Sequence, residues 1–499
     1  MDKQQSNKTK EELGYSRPLD VHKWSDHPEV NIFINDIWHT YFEEKFSKSG
    51  KGKQPKSSPK IQLKVLLLDL YVARYEDPAL LLGVGLSNSF YKANSRYNEI
   101  HISALMIDIV RAAYDKGLIG LHLGSESAKK TTRIWPTETL AKAFDEAKFG
   151  VLSISSYERR EAIVLNKEVM DVSNAKKAKP IEYRDSDYSM ILPMREDLNK
   201  YNELLSRTFI DIPTLDLPVI KTAYLDKGVR KSRKVQIAQY NKFVRRIFYR
   251  GSWKLGGRFH GGWWQQISEE WRKQIYIEGK GTIEVDFSGL HVNLLYGLRR
   301  EQPVSDPYSV DLDIVSDKEE LRGYVKSLAL MAINASSEAK AFQAFRNEQP
   351  NRSKAKCFTN KQLGIMLDAF KEKNHKIKDD LCTDMGVSLM ALDGRITSRI
   401  INHFTAKNIP ILTIHDSYII EFTKDNEIKK VLDEATQAEL DGFKVNITQG
   451  ALGLSEAGRR QLGSDPFKDR VDELPNYVQC EGYQYRKKQF NNYFFSSTE

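Results

Sequence analysis

Along the chain, apolar residues switch between helical spacing and strict alternation, and each switch marks an expected element. Residues 30–46 are amphipathic and rich in Ile, Trp, Tyr and Phe, and 47–60 read as a basic loop of Ser, Gly, Pro and Lys. From Ile61 the spacing of Leu63, Leu66, Leu67 and Leu70 predicts a helix that stops at Asp77-Pro78. A second helix, N-capped by Ser103, runs through Met106, Ile109, Val110 and Ala113 to Lys116-Gly117. Two strands, 118–123 and 131–135, flank a polar tip carrying Lys129 and Lys130, and Pro136-Thr137 opens a further helix through Leu140 and Phe144. After a helix over 195–208 and a looped segment holding Pro213 and Pro218, a basic helix is predicted over 235–250.

Alternation returns at Thr282-Ile283-Glu284-Val285-Asp286, and helical spacing resumes at Leu290, Leu294 and Leu295. This strand–turn–helix unit leaves Asp286 at the strand end, beside the turn formers Ser288 and Gly289. The position suits either a ligand aimed into a cleft or a cap for the following helix. Further on, apolar runs flank His415-Asp416-Ser417, which predicts a hairpin with the polar triplet at its turn. An acid set in so much hydrophobic sequence is costly unless it is paired or holds a metal. Arg322, Lys326, Leu330 and Asn334 fall every fourth residue and so share one helix face, a rail suited to a triphosphate. In Gly256-Gly257-Arg258-Phe259, glycines around an arginine permit close backbone approach to a phosphate-bearing partner. Trp263 and Trp264 suit base stacking or a core.

At 40% hydrophobic and 29% charged residues the composition is that of a globular protein, and no apolar run is long enough for a bilayer. The opening residues hold no secretory-type apolar segment, and the three cysteines lack CxxC spacing, so a reducing, cytoplasmic setting is expected. The net charge of +9 matters because it is clustered. One run lies over 48–60, a second comprises Lys227, Arg230, Lys231, Arg233 and Lys234, and a third Lys242, Arg245, Arg246 and Arg250. Clustering points to a polyanion, since each neutralised phosphate releases counterions.

Two resemblances follow from these motifs. Helix, helix ending in Lys-Gly, hairpin and helix over about 60–150 resemble a winged-helix DNA-binding domain, which implies a helix in the major groove and a wing on the backbone. Over 250–425, four stretches in order resemble the core shared by family A DNA polymerases and single-subunit phage-type RNA polymerases. Asp286 with Ser288 is similar to their motif A, 322–334 to motif B, and His415-Asp416-Ser417 to motif C. The Gly-Arg stretch resembles the segment before motif A, and Leu392-Asp393-Gly394 resembles the Leu-Asp-Ala of the RNA-polymerase branch.

The resemblance implies an α+β fold with a right-hand palm, fingers and thumb behind a winged-helix-like domain. It implies a template-directed nucleotidyltransferase, a DNA or RNA polymerase or primase, acting on nucleoside triphosphates along DNA or RNA. Asp286 and Asp416 would hold two Mg²⁺ ions, or Mn²⁺, about 4 Å apart. Arg322, Lys326, Asn334, His291 and Arg258 would meet the nucleotide, and Lys326 would also protonate the departing pyrophosphate. The nucleic acid would lie on Lys129, Lys130, Arg230, Lys231, Arg233, Lys234, Arg245, Arg246 and His415. The expected domains are an extension and linker (1–60), the winged-helix-like domain (61–150), a connector with thumb-like basic helices (151–250), palm and fingers (251–460), and an aromatic and basic tail (461–499).

Two departures stand out. Asn334-Ala335 replaces the Tyr-Gly that ordinarily ends motif B, and His291 stands where DNA polymerases carry a ribose-excluding Glu. They leave open an alternative, a DNA-binding replication or regulatory protein whose polymerase-like core has lost activity.

Overall fold

The computed structural model describes residues 8–46, 56–124, 131–170, 176–226, 228–449 and 478–495. Lys129, Lys130 and the basic run 48–53 lie outside them. The fold is α+β, and the chain forms two compact units, Met1–Glu161 and Ala162–Glu499.

The first unit is built on the helix Pro59–Glu76, which Ser58 caps by accepting from the Ile61 N–H. Leu63, Leu66, Leu67 and Leu70 are fully buried, and so are Gln62 and Asp69 on the helix's other sides, because helices Pro28–Tyr41 and Leu105–Asp115 and a sheet enclose it. That sheet runs in the order Ser16–Pro18, Leu81–Val84, Thr132–Pro136, Ile119–His122. Buried Asp69 is satisfied by Arg17 through two bonds of 2.9 and 2.7 Å and by the Asp20 N–H. The helices Leu105–Asp115 and Glu138–Asp145 and the glycine stop at Gly117 (φ +71°) lie where apolar spacing places them, but Ser103 is not the N-cap: Ala104 holds that place without a side-chain cap, and Ser103 accepts from the Leu105 N–H at 3.3 Å.

The second unit departs from expectation first in its basic region. No helix forms over 235–250. Instead β1 (Val219–Asp226) and β2 (Val229–Gln236) pair as an antiparallel ribbon, and β3 (Val244–Tyr249) joins a sheet. The cause is alternation: Val244, Arg246 and Phe248 are buried while Arg245, Ile247 and Tyr249 are less so, which is a strand's period. On one side of β3 runs β4 (Ser252–Gly261), and on the other Ile163–Met170 and then Lys176–Pro180.

The main sheet of this unit centres on β5 (Lys280–Phe287), followed by helix α1 (Leu290–Leu298). Helix α2 (Lys318–Asn334) packs with helices Glu338–Glu348 and Asn360–Lys373 through Val325, Leu328, Phe345 and Leu363. The long helix α3 (Gly386–Ala406) leads into the hairpin β6 (Ile411–Ile414) and β7 (Ser417–Glu421). Among the described residues the sheet order is β6, β7, β5, Tyr276–Ile277, Ile210–Asp211, with Ile447–Gln449 also paired to β5. The C-terminal helix Glu481–Phe495 docks by burying Tyr483 and Phe490 and by clamping Asp211 with Arg486 at 2.8 and 3.0 Å. No helix among the described residues is long and apolar enough to cross a membrane.

Candidate active site

Two neighbouring strands deliver the two acids. On β5, Ile283, Val285 and Phe287 point into the core, so Glu284 and Asp286 take the opposite face. The register pairs Asp286 with Ser417 on β7, and the Phe287 N–H donates to the Asp416 carbonyl at 3.2 Å. Asp416 therefore sits in the hairpin turn directly beside Asp286. The turn is tight enough that His415 adopts φ +54°. Asp286 does not cap α1: that place is taken by Gly289 in the left-handed region, where no side chain caps.

Asp286 is half-buried, and its Oδ1 is buried without a hydrogen-bond partner. Burial, with the charges of Asp416 and Glu284 beside it, pushes its pKa up to about 7, while the Lys326 ammonium pulls it back. A carboxyl group so raised, with an unpartnered oxygen beside a second acid and under the pull of a lysine, marks a candidate functional site.

Buttresses hold the acids in place, and sequence reasoning missed most of them. The Ser417 hydroxyl donates to Glu284 at 2.7 Å, and Arg272 clamps Glu284 through bonds of 3.0 and 2.9 Å. Glu284 was legible as a neighbour, since alternation puts it on the same strand face as Asp286, but Arg272 carried no signal. On β6, Trp264 and Gln265 donate to the Thr413 carbonyl at 3.2 and 2.8 Å. Trp263 and Trp264 are fully buried, so stacking on bases is excluded for both.

Along α2 the expected face is solvent-accessible, with Lys326, Leu330 and Asn334 exposed. Arg322 pairs with Asp306 at 2.8 Å, with its guanidinium 5.8 Å from the Tyr308 ring. The Asn334 amide donates to the Leu330 carbonyl of its own helix at 2.8 Å, and its side chain packs against Gly386 at the start of α3. The rail for a triphosphate thus reduces to Lys326 and Arg322.

Arg258 and His291 also differ from expectation. Arg258 is bound to buried Asp393 on α3 through Nε and to His291 Nε2 through Nη2 at 3.0 Å. An arginine N–H can only donate, so Nε2 accepts and the neutral imidazole carries its proton on Nδ1. Burial, and then the Arg258 charge, lower the His291 pKa to about 4. Asp393, raised to about 6 by burial against the opposing pull of Arg258, also accepts from Thr397, whose hydroxyl meets that of Tyr418 at 2.9 Å. The pair expected at the nucleotide is therefore a scaffold that ties β4, α1 and α3 together behind Asp416.

Of the expected nucleic-acid contacts, Arg230, Lys231, Arg233 and Lys234 are exposed on the β1–β2 ribbon, and His415 is exposed at its turn. Arg245 is half-buried. Arg246 is corrected outright: it is 5% exposed, donates to the Gly257 carbonyl at 2.8 Å, and lies 5.3 and 5.2 Å from the rings of Phe248 and Phe259. It serves the core.

No protein-family model and no curated protein matches the chain. Among solved structures, the chain is similar to the POL domain of Pol1 from M. smegmatis, solved in complex with DNA primer-template and dNTP, at 11% identity and a TM-score of 0.29. The match covers 42% of this chain and 47% of that one, so it spans less than half of the neighbour's length. A likeness this slight does not establish a shared fold.

Proposed function

We propose that the chain is a template-directed nucleotidyltransferase whose reaction centre is Asp286 and Asp416, with Lys326 facing the incoming triphosphate. One observation carries the reading: two carboxylates delivered by paired strand ends, one with a buried, unpartnered oxygen, opposite an exposed lysine. Among the described residues no third His, Cys, Asp or Glu completes a metal cage. That suits Mg²⁺ or Mn²⁺, which take hard oxygen donors and complete their shells with water and substrate phosphate. When bound, such ions supply Lewis-acid activation of the attacking hydroxyl and charge neutralisation at the leaving group. Asp286 and Asp416 would hold them, Glu284, Arg272 and Ser417 fix the acids, and Lys326 would neutralise the triphosphate and give a proton to pyrophosphate. DNA or RNA is the template, and in the first unit the helices and hairpin of residues 59–145 form a winged-helix-like docking domain.

Primer extension and de novo synthesis, each with ribo- and deoxyribonucleotides, test the proposal. Incorporation should require divalent metal, vanish with Asp286→Ala or Asp416→Ala, and fall on the order of a hundredfold or more with Lys326→Ala. Identical blanks for wild type and variants across every template and both nucleotide pools would sink it. Asn334, whose amide is bonded within its own helix, favours a second reading, a nucleic-acid-binding protein with an inactive core. That reading requires nucleic-acid binding without metal that survives loss of both acids.

A further inference from the structure

The β1–β2 ribbon belongs to neither sheet of its unit. Its register sorts the side chains onto two faces. At the root, one face sinks Ile220, Thr222 and Val235 into the core. Farther out, that same face carries Tyr224, 41% exposed, with Lys231 and Arg233, both exposed. Arg230 and Lys234 lie on the opposite, outward face.

Both ends of the ribbon are fastened. Near the root, Arg233 donates to the Gln266 carbonyl at 3.0 Å, and the adjoining Gln265 holds β6, the strand that leads into Asp416. At the tip, the Gly228 carbonyl accepts from the Asn351 N–H at 3.0 Å. Gly228 has φ +77°, and a Cβ there would overlap the Asn351 side chain, so this contact needs glycine. Asn351 follows the helix Glu338–Glu348, which packs on α2, the helix of Lys326. The root of the ribbon is thus linked, through Gln265 and Gln266, to the strand that leads into Asp416, and its tip, through the helix Glu338–Glu348, to the helix of Lys326. With eight residues per strand the ribbon spans roughly 26 Å.

The span is tied at both ends, yet its inward face is solvent-accessible at Tyr224, Lys231 and Arg233. We infer that the ribbon is a bridge over the cleft and that single-stranded nucleic acid passes under it, phosphates on Lys231 and Arg233 and a base on Tyr224. Two cations beside an exposed aromatic are what an unpaired strand offers partners for, since stacking needs an unstacked base and the phosphates need positive charge. Arg233 already lies 5.5 Å from the Tyr224 ring, which preorganises the pair. The inference rests on the nucleic-acid half of the function proposed above and on no part of its chemistry.

Fluorescence anisotropy on the full chain, with a labelled 20-nucleotide single strand and the matching duplex, at fixed salt and with EDTA, tests it. The inward pair Lys231→Glu/Arg233→Glu should weaken single-strand binding at least tenfold more than the outward pair Arg230→Glu/Lys234→Glu, which changes charge equally. Tyr224→Ala should weaken the single strand about tenfold and spare the duplex. Asn351→Pro, which removes the tip's donor, should speed release of a circular single strand more than release of a 12-mer. Thermal melting checks each fold, and Lys231→Gln/Arg233→Gln replaces the inward pair if that one unfolds. Equal losses from the two faces, or tighter binding of duplex than of single strand, would overturn the bridge. A chain that binds strands this way in EDTA, yet never incorporates when nucleotides and divalent metal are supplied, refutes the catalytic reading alone. A wild type that binds no single strand refutes the bridge, whatever it incorporates.

Discussion

Asp286 combines a pKa near 7 with an oxygen that nothing satisfies, and that combination has a thermodynamic signature. Its carboxyl is raised in the folded chain above its unfolded value near 3.9. Between roughly pH 4 and 7 the unfolded chain ionises this group while the folded chain keeps it protonated, so stability falls as pH rises through that window. Above it the penalty is fully present, about 2 kcal/mol after allowance for solvent access. Asp286→Asn should therefore raise the metal-free melting temperature at pH 8 by several degrees and leave it nearly unchanged at pH 4. Added Mg²⁺ should stabilise the wild type at pH 8 and not the variant. Differential scanning calorimetry at both pH values reads this, and a variant that melts lower than wild type at pH 8 contradicts it. At this scale the acids themselves were legible, because alternation around Asp286 and apolar runs around Asp416 are local signals. Their supports were not. Asp393 reaches Arg258 across 135 positions of sequence, and no periodicity encodes such a meeting.

Between elements, small residues decide what the charged ones do. A Cβ on Gly394 of α3 would overlap the Gly257 carbonyl of β4, the same oxygen that Arg246 holds. This close approach seats Asp393 under Arg258. Gly394→Ala should push helix from strand and destabilise the chain by roughly 1–3 kcal/mol, through overpacking. Gly364, mid-helix in Asn360–Lys373, has nothing within 4 Å of a built Cβ, so Gly364→Ala should stabilise by up to about 1 kcal/mol through helix propensity. Urea denaturation of the two variants checks the opposite signs, and equal effects would remove the packing argument. The same glycines explain why the Gly-Arg stretch was misread. Gly256 and Gly257 take φ of +77° and +87° to form a bulge, with register shifts opposite Ile247 and Phe248, so their freedom serves the strand instead of a phosphate. Over 235–250 the apolar signal is the two-residue alternation of Val244, Arg246 and Phe248, in which the buried arginine stands at a core position and so hides a strand inside a basic run.

For the whole molecule, composition told only that positive charge was clustered, and the fold divides that cluster in two. Lys242 and Arg246 go inside, and the ribbon residues stay out. Lys242 donates to the carbonyls of Ser206 and Thr208 at 3.2 and 2.6 Å, and burial lowers its pKa to about 7. It lies 5.1 Å from the ring of Phe490, on the C-terminal helix, so this helix seals an interior that already holds charge. The described part of the aromatic and basic tail, the helix Glu481–Phe495, docks on the second unit. Its anchor is a fully buried carboxylate, Asp211, matched by two bonds from Arg486. Removing one partner of such a pair leaves an uncompensated buried charge and costs about 3–5 kcal/mol, whereas neutralising both costs far less. Arg486→Gln should therefore destabilise the second unit strongly, and Asp211→Asn in the same chain should restore much of the loss. The second unit has a core of its own, so residues 162–499 should fold alone and reproduce this cycle, whereas residues 162–477 should melt lower or fail to fold. Chemical denaturation of the four variants of the cycle gives the coupling energy. If the double variant loses the sum of the two single losses, the coupling energy is zero, the helix is held by Tyr483 and Phe490, and the ion pair contributes nothing to the seal.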